Sequence, residues 1–280
     1  MSDTICITTL VENSVHVRGL RAEHGLAFHV QAGHRSLLFD TGQSDLLLVN
    51  AIALGVDLSQ VEAIVLSHGH YDHTGGLAAV RRIAPQARLC LHPAAVEPKF
   101  SGNANGPARA AGMTAAALQA VREAATSVTW TRAATEVLPG VFVTGEVPRK
   151  TSFEDTGGSF FLNAAGTQPD PLVDDQALFI DTADGLVVIL GCAHAGVVNT
   201  LRHIRRLTGD RTLHTVLGGL HLLAAGPVRM DATVAALREL GVARFVPAHC
   251  TGFAASARLW AEFQGRCTLG GVGTRLVMRR

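Results

Sequence analysis

The chain has 280 residues, 48% of them hydrophobic, and a formal charge of +1. A near-neutral balance excludes non-specific nucleic-acid binding, which needs a dense basic surface to neutralise phosphates. The length suits one layered α/β domain over residues 1–280, and the apolar content can fill a substantial core. Residues 4–11, 25–30 and 36–39 read as strands from their β-branched and aromatic content, and residues 46–54 as a helix. Residues 61–66 are a continuous apolar run of parallel-strand type. A helix over 76–83 follows, which Pro85 terminates, and then a strand over 88–91.

Residues 98–136 break this alternation. Ser101 to Pro107, rich in Gly, Asn and Pro, predicts a loop, and 113–125 an Ala-rich helix. The segment reads as an insertion, either a lid over a site or a surface elaboration. Beyond it the alternation resumes, with a hairpin of 177–180 and 186–190, a helix over 197–207, a strand over 212–217, a helix over 231–240 and a strand over 244–246.

Residues 1–14 lack a basic region followed by a sustained apolar stretch, and the apolar runs elsewhere are short, so neither a signal peptide nor a membrane span is expected. Five cysteines at wide spacing disfavour a disulfide framework. The expected location is cytoplasmic. Cys6, Cys90 and Cys267 read as buried thiols and Cys250 as a packing residue.

The richest segment is Ser67-His68-Gly69-His70-Tyr71-Asp72-His73-Thr74-Gly75-Gly76, which follows the 61–66 run. Residues two apart on extended chain project to one side. His68 and His70 can therefore converge on one ion while the next turn aims Asp72 and His73 at a second. Neutral imidazole suits zinc and other first-row ions, and one carboxylate among imidazoles is common in hydrolytic sites. One or two divalent ions are expected, Zn2+ first, with Mn2+ or Fe2+ as alternatives. His194, His221 and His249 each fall near the end of an apolar strand beside Gly or Ala, and extend the candidate set.

Here the sequence resembles the metallo-β-lactamase superfamily, whose signature His-x-His-x-Asp-His closes a buried strand and opens into a helix. Glu23-His24-Gly25-Leu26, Phe39-Asp40-Thr41-Gly42-Gln43, Gly191-Cys192-Ala193-His194-Ala195-Gly196, Gly218-Gly219-Leu220-His221-Leu222 and Pro247-Ala248-His249-Cys250-Thr251-Gly252 look like one branch of it. That branch comprises dihydropterin-ribofuranosyl-aminobenzene-phosphate-synthase-like metal-dependent hydrolases. The resemblance implies an αββα sandwich with the metal site at the rim of two sheets. It also implies ligation by His68, His70, Asp72 and His73, with Asp40 orienting a ligand imidazole from behind.

The chain departs from the superfamily pattern before the hairpin, where Val173-Asp174-Asp175-Gln176 carries no histidine. His194 is inferred to replace that ligand and His249 to be the late one. His221 resembles the extra histidine of ribonuclease Z-like members and is the expected proton donor, although it can instead ligate. Asp175 is a weaker substitute ligand, read first as a solvated carboxylate. Cys192 falls at the bridging position and is either a bridging thiolate or a small buried residue. The other histidines, His16, His29, His34, His92, His203 and His214, read as structural or solvated, with His24 left open because it lies within the resemblance.

The implied chemistry is metal-dependent hydrolysis by an activated water that Asp72 helps to orient, with His221 protonating the leaving group. An anionic or phosphorylated small molecule is the expected substrate, received by Arg149 and Lys150. Two other readings stay open: a dihydropterin-linked transferase releasing pyrophosphate, and a non-hydrolytic iron oxygenase or redox protein.

Overall fold

The computed structural model describes residues 4–103 and 106–279. Among these residues, β1 (Thr4–Val11), β2 (Ala27–Ala32) and β3 (Arg35–Phe39) form an antiparallel meander. Next come α1 (Leu46–Ala53), β4 (Ala63–Val65), the single turn α2 (Tyr71–Thr74), α3 (Leu77–Ile83) and β5 (Arg88–Leu91). β6 (Phe100–Asn103) and β7 (Gly106–Ala110) make a hairpin, α4 (Ala115–Glu123) follows, and β8 (Val128–Trp130) pairs with β5. The chain continues through β9 (Thr135–Leu138), β10 (Val141–Val143), β11 (Phe160–Phe161), β12 (Ala177–Thr182), β13 (Gly185–Leu190) and α5 (Val197–Leu207). It ends with β14 (Leu213–Gly219), α6 (Pro227–Glu239), β15 (Arg244–Ala248), α7 (Phe253–Glu262) and β16 (Arg275–Arg279).

The described strands form a sheet of order β16-β1-β2-β3-β4-β5-β8, a second of order β15-β14-β13-β12-β10-β9, and a small one of order β11-β6-β7. Strand alternation sets the layers. In β13, Val187 and Ile189 face the first sheet, packing with Phe39, Val65 and Leu178, while Leu186, Val188 and Leu190 face α5 and α6. Both sets are buried, which is why the strand reads as an unbroken apolar run. Each such side chain contributes about 1.5–3 kcal/mol of transfer free energy. On the far face of the first sheet, Leu38, Ile64 and Leu89 pack under Leu47, Val80 and Val121 of α1, α3 and α4. The result is a four-layer αββα sandwich, as the resemblance implies. No helix among the described residues is long and apolar enough to cross a membrane.

Several expectations are corrected. Residues 101–103 and 106–107, expected in a loop, lie in β6 and β7, and Ala104 and Asn105 of that segment lie outside the described residues. The glycines and proline of this hairpin masked a strand signal that pairing with β11 supplies. The 98–136 segment is also more than an insertion, since β8 extends the first sheet and β9 starts within it. Cys6 is only partly buried, unlike Cys90 and Cys267. The strands β9, β10, β11 and β16 and the helix α7 had no reading from periodicity.

Candidate metal centre

The first sheet delivers its donors from one turn after β4. Asp40, just past β3 and held at φ 61°, fastens that turn. Its Oδ1 accepts from the Ser67 amide at 2.7 Å, its Oδ2 accepts from the Ser67 hydroxyl at 2.7 Å, and the same Oδ2 lies 2.7 Å from His73 Nδ1. Ser67 Oγ in turn meets His68 Nδ1 at 2.8 Å. Gly69 must be glycine: a Cβ there would lie 2.2 Å from the Ala95 carbonyl oxygen. Its amide donates to Asp174 Oδ2 at 2.8 Å, and Asp174 is buried against Lys99 Nζ at 2.9 Å.

The second sheet delivers His194, His221 and His249 from the ends of β13, β14 and β15. Ala193, His221 and His249 take φ values of 55°, 49° and 52°. Non-glycine residues rarely adopt this left-handed region, at a cost of ~1–3 kcal/mol each. Such strain at three successive strand ends marks a site that the surrounding structure over-determines. His194 Nδ1 lies 2.8 Å from the Thr156 carbonyl, and His249 Nδ1 lies 2.8 Å from Asn13 Oδ1, while the His249 amide donates to Glu12 Oε1 at 2.6 Å.

With His68, His73, His194 and His249 each engaged at Nδ1, their Nε2 atoms are left to face inward. His68 Nε2 is 2.9 Å from His70 Nδ1, and His73 Nε2 is 3.2 Å from both His249 Nε2 and Cys192 Sγ. Asp72 Oδ2 is 3.3 Å from His249 Nε2 and 3.7 Å from His73 Nε2. The ligand atoms of His68, Cys192 and His194 lie within 4.8 Å of one another, as do those of His73, Cys192 and His249. The buried Nε2 atoms of His70 and His194 have no hydrogen-bond partner among the described residues. Orphaned, converging nitrogens with a thiol and a carboxylate are the donor set of a first-row divalent metal.

The electrostatics agree. Burial drives His68 and His194 well below the ordinary imidazole range and pushes His70 down to about 3, so these side chains are neutral ligand forms. His73 is the exception: burial opposes its charge, but Asp40 and Asp72 outweigh it and raise it to about 9. The carboxylates that favour a proton there also favour a metal cation. Burial disfavours ionised Asp72, yet His73, His24 and His249 hold it well below the usual carboxylate range.

A strand-end aspartate bound to the His-x-His-x-Asp-His turn, between two sheets clad in helices, decides the family. The chain belongs to the metallo-β-lactamase superfamily. The family model, "Metallo-beta-lactamase superfamily", matches residues 20–249. A 7,8-dihydropterin-6-methyl-4-(beta-D-ribofuranosyl)-aminobenzene-5'-phosphate synthase of Methanocaldococcus jannaschii is 30% identical, over 94% of this chain and 92% of its own length. The crystal structure of a metal-dependent hydrolase of the beta-lactamase superfamily superposes with a TM-score of 0.82 at 33% identity, covering 99% of this chain and all of that one. Zn(2+)-bound PqqB from Methylobacterium extorquens shares the fold, with a TM-score of 0.60 at 15% identity over 97% of this chain and 99% of its own. A metallo-β-lactamase fold implies divalent metal binding, and the donor set described above fits it.

Not every residue singled out from the sequence reaches the centre. Arg149 donates to the carbonyl oxygens of His194 at 2.6 Å and Pro171 at 2.7 Å, so its guanidinium braces the His194 loop. Lys150 binds Asn199 through its backbone amide. Neither lines the cavity over the centre, which holds about 430 Å³ and has Arg109 of β7 in its wall. The expected phosphate receivers are thus corrected, because backbone acceptors already occupy the arginine. Asp175 is buried rather than solvated: Oδ2 accepts from the Ala195 amide at 2.9 Å, Oδ1 has no partner among the described residues, and burial pushes its pKa up to about 6.

Sequence reasoning undervalued His24, whose Nε2 is 3.2 Å from Asp72 Oδ2. Its place in Glu23-His24-Gly25 was the available signal. It missed Glu12, Asn13, Lys99 and Asp170 altogether, since their partners lie far away in the chain. Cys250, read as packing, lies beside Cys192 and His221.

Proposed function

We propose that the protein is a metal-dependent hydrolase that cleaves an anionic, phosphorylated small molecule at a pair of divalent ions, with zinc best suited to the imidazole-rich donors. The observation that carries this reading is the inward convergence of His68, His70, His73, His194 and His249 with Asp72 and Cys192. His68, His70 and His194 would hold one ion and Asp72, His73 and His249 the other, with Cys192 common to both groups. Bound there, a divalent metal supplies Lewis acidity and lowers the pKa of water toward neutrality.

The chain's own residues do the rest. Asp40, Ser67, Asn13 and the Thr156 carbonyl hold the imidazoles in one tautomer and orientation. His24 lines the cavity, is half exposed and touches Asp72, which places it to pass a proton between solvent and a leaving group. His221 remains a second imidazole in the same wall. Mostly neutral donors leave a positive field, and Arg109 adds to it, so an anion gains affinity. Tyr71 and Phe160 offer ring surface to a flat substrate portion. The partners on this reading are small molecules in the cytoplasm, not nucleic acid or membrane.

The second reading is a transferase that joins a dihydropterin to an arylamine and releases pyrophosphate. The synthase from Methanocaldococcus jannaschii favours it. Metal-reconstituted protein assayed on phosphodiester, lactone, thioester and β-lactam substrates, and on a dihydropterin diphosphate with an arylamine acceptor, separates the two. Phosphoester turnover inhibited competitively by inorganic phosphate supports the hydrolase. Pyrophosphate release that depends on the acceptor supports the transferase, and phosphate-insensitive turnover of neutral lactones overturns the phosphorylated substrate.

A further inference from the structure

Cys250 and His221 are donors that neither histidine group uses, and both stand next to Cys192. The ligand atoms of Cys192, His221 and Cys250 all lie within 4.8 Å of one another. Cys250 Sγ donates to the Cys192 carbonyl oxygen at 3.6 Å, so the thiol is turned toward the β13 strand end. The chain leaves room for it. A Cβ on Gly219 would lie 2.6 Å from Cys250 Sγ and 2.3 Å from the Gly191 carbonyl oxygen, so a side chain there would displace the thiol.

His221 carries an independent sign of a missing partner. Its buried Nδ1 has no hydrogen-bond partner among the described residues, at a cost of about 1–3 kcal/mol for an unmet polar atom. Its backbone is also held at φ 49°, which aims the ring at the price of strain. An imidazole with one unmet nitrogen, and with a ligand atom within 4.8 Å of two thiol sulfurs, is placed to hold an ion.

We propose that Cys192, His221 and Cys250 form a thiolate-rich metal position beside the histidine centre, taking a borderline divalent ion such as zinc. This inference rests on the metal-binding reading of the site. Two sulfurs and one imidazole, with a fourth position open to the cavity, suit tetrahedral zinc, whereas calcium and magnesium demand oxygen. Ligation replaces each S–H proton by the metal, so uptake releases up to one proton per thiol to solvent. Cys192 belongs to this set and to both histidine sets, so Cys250 enlarges one continuous centre. His221 is then a ligand, and His24 carries the proton.

Cobalt(II) added to metal-free protein provides the test, because thiolate–cobalt charge transfer gives a near-ultraviolet band that imidazole ligands do not. Cys250→Ser should lose a clear part of that band, Cys192→Ser the larger part because Cys192 also serves both histidine groups, and the double variant all of it. A band unchanged in Cys250→Ser overturns the position and leaves the histidine centre intact. Cobalt that fails to bind at all overturns both readings. The wild-type chain gives a second measurement free of folding effects: iodoacetamide labelling read by mass spectrometry with and without Zn2+. Zinc should protect Cys250 at least tenfold while partly exposed Cys6 reacts unchanged, and equal labelling of Cys250 in both states overturns the proposal.

Discussion

The two rims of the centre are built differently. The first sheet supplies His68, His70, Asp72 and His73 from one turn, whose direction follows from the alternation of extended chain. The second sheet supplies His194, His221 and His249 from three separate strand ends, each with a left-handed residue at or beside the histidine. A contiguous motif needs local geometry and one anchoring carboxylate, Asp40. Dispersed donors need backbone strain at each position and partners recruited from elsewhere, here Thr156, Asn13 and Glu12. The first rim is therefore legible as a string of letters, and the second only as a coincidence of similar strand endings.

Removing donors from each side has the largest expected effect. The double variant His68→Ala/His70→Ala should lose most bound metal, and His249→Ala should lose a substantial share, both read by elemental analysis of purified protein. Metal content unchanged in the double variant would contradict the assignment of the first rim.

The first rim is also braced against the loop before β12 by Lys99, whose ammonium bridges Asp170 at 3.0 Å and Asp174 at 2.9 Å beneath the Gly69 amide. Lys99→Met leaves two buried carboxylates without their cation. It should lower unfolding free energy by about 3–5 kcal/mol in urea titration. A loss below 1 kcal/mol would show that the network adds little to the hold on the first rim.

His29 of β2 is a buried imidazole remote from the centre, and it calibrates what burial alone does. Burial, aided by Arg275, pushes its pKa from 6.5 down to about 4. The folded state thus binds fewer protons than the unfolded chain between those values. Stability from this group is complete above pH 6.5 and is lost as pH falls toward 4, by about 3 kcal/mol. Urea titrations at pH 7 and pH 4.5 should show a smaller acid loss in His29→Gln than in wild type. An identical loss in both would remove His29 as the cause.

The smallest expected effect is at Asp40. Asp40→Ala frees the His73 imidazole without removing a ligand, so metal affinity should fall about 10–100-fold. Competition with a chromophoric chelator measures it, and an unchanged affinity would mean that the strained carboxylate only joins β3 to β4.

The layers of the fold were readable because both sheets are buried on two faces, which writes apolar runs such as 186–190 into the chain. The short strands β9 to β11 were not, since tertiary pairing rather than periodicity makes them. Cys192 and His194 were legible through a strand end rich in Gly and Ala. Arg109 was not, because it enters the cavity on a hairpin whose Gly-Pro start signals a loop. Arg149 misled for the opposite reason: a basic pair in sequence says nothing about the carbonyl groups that capture it.

On the proposed reading, the inward-facing donors of both rims hold divalent metal. Crystals of zinc-reconstituted protein, measured on both sides of the zinc absorption edge, locate such ions. Anomalous peaks are expected between His68, His70, His194 and Cys192 and between Asp72, His73, His249 and Cys192. No peak within coordination distance of these side chains, in crystals whose protein retains zinc, would contradict that reading.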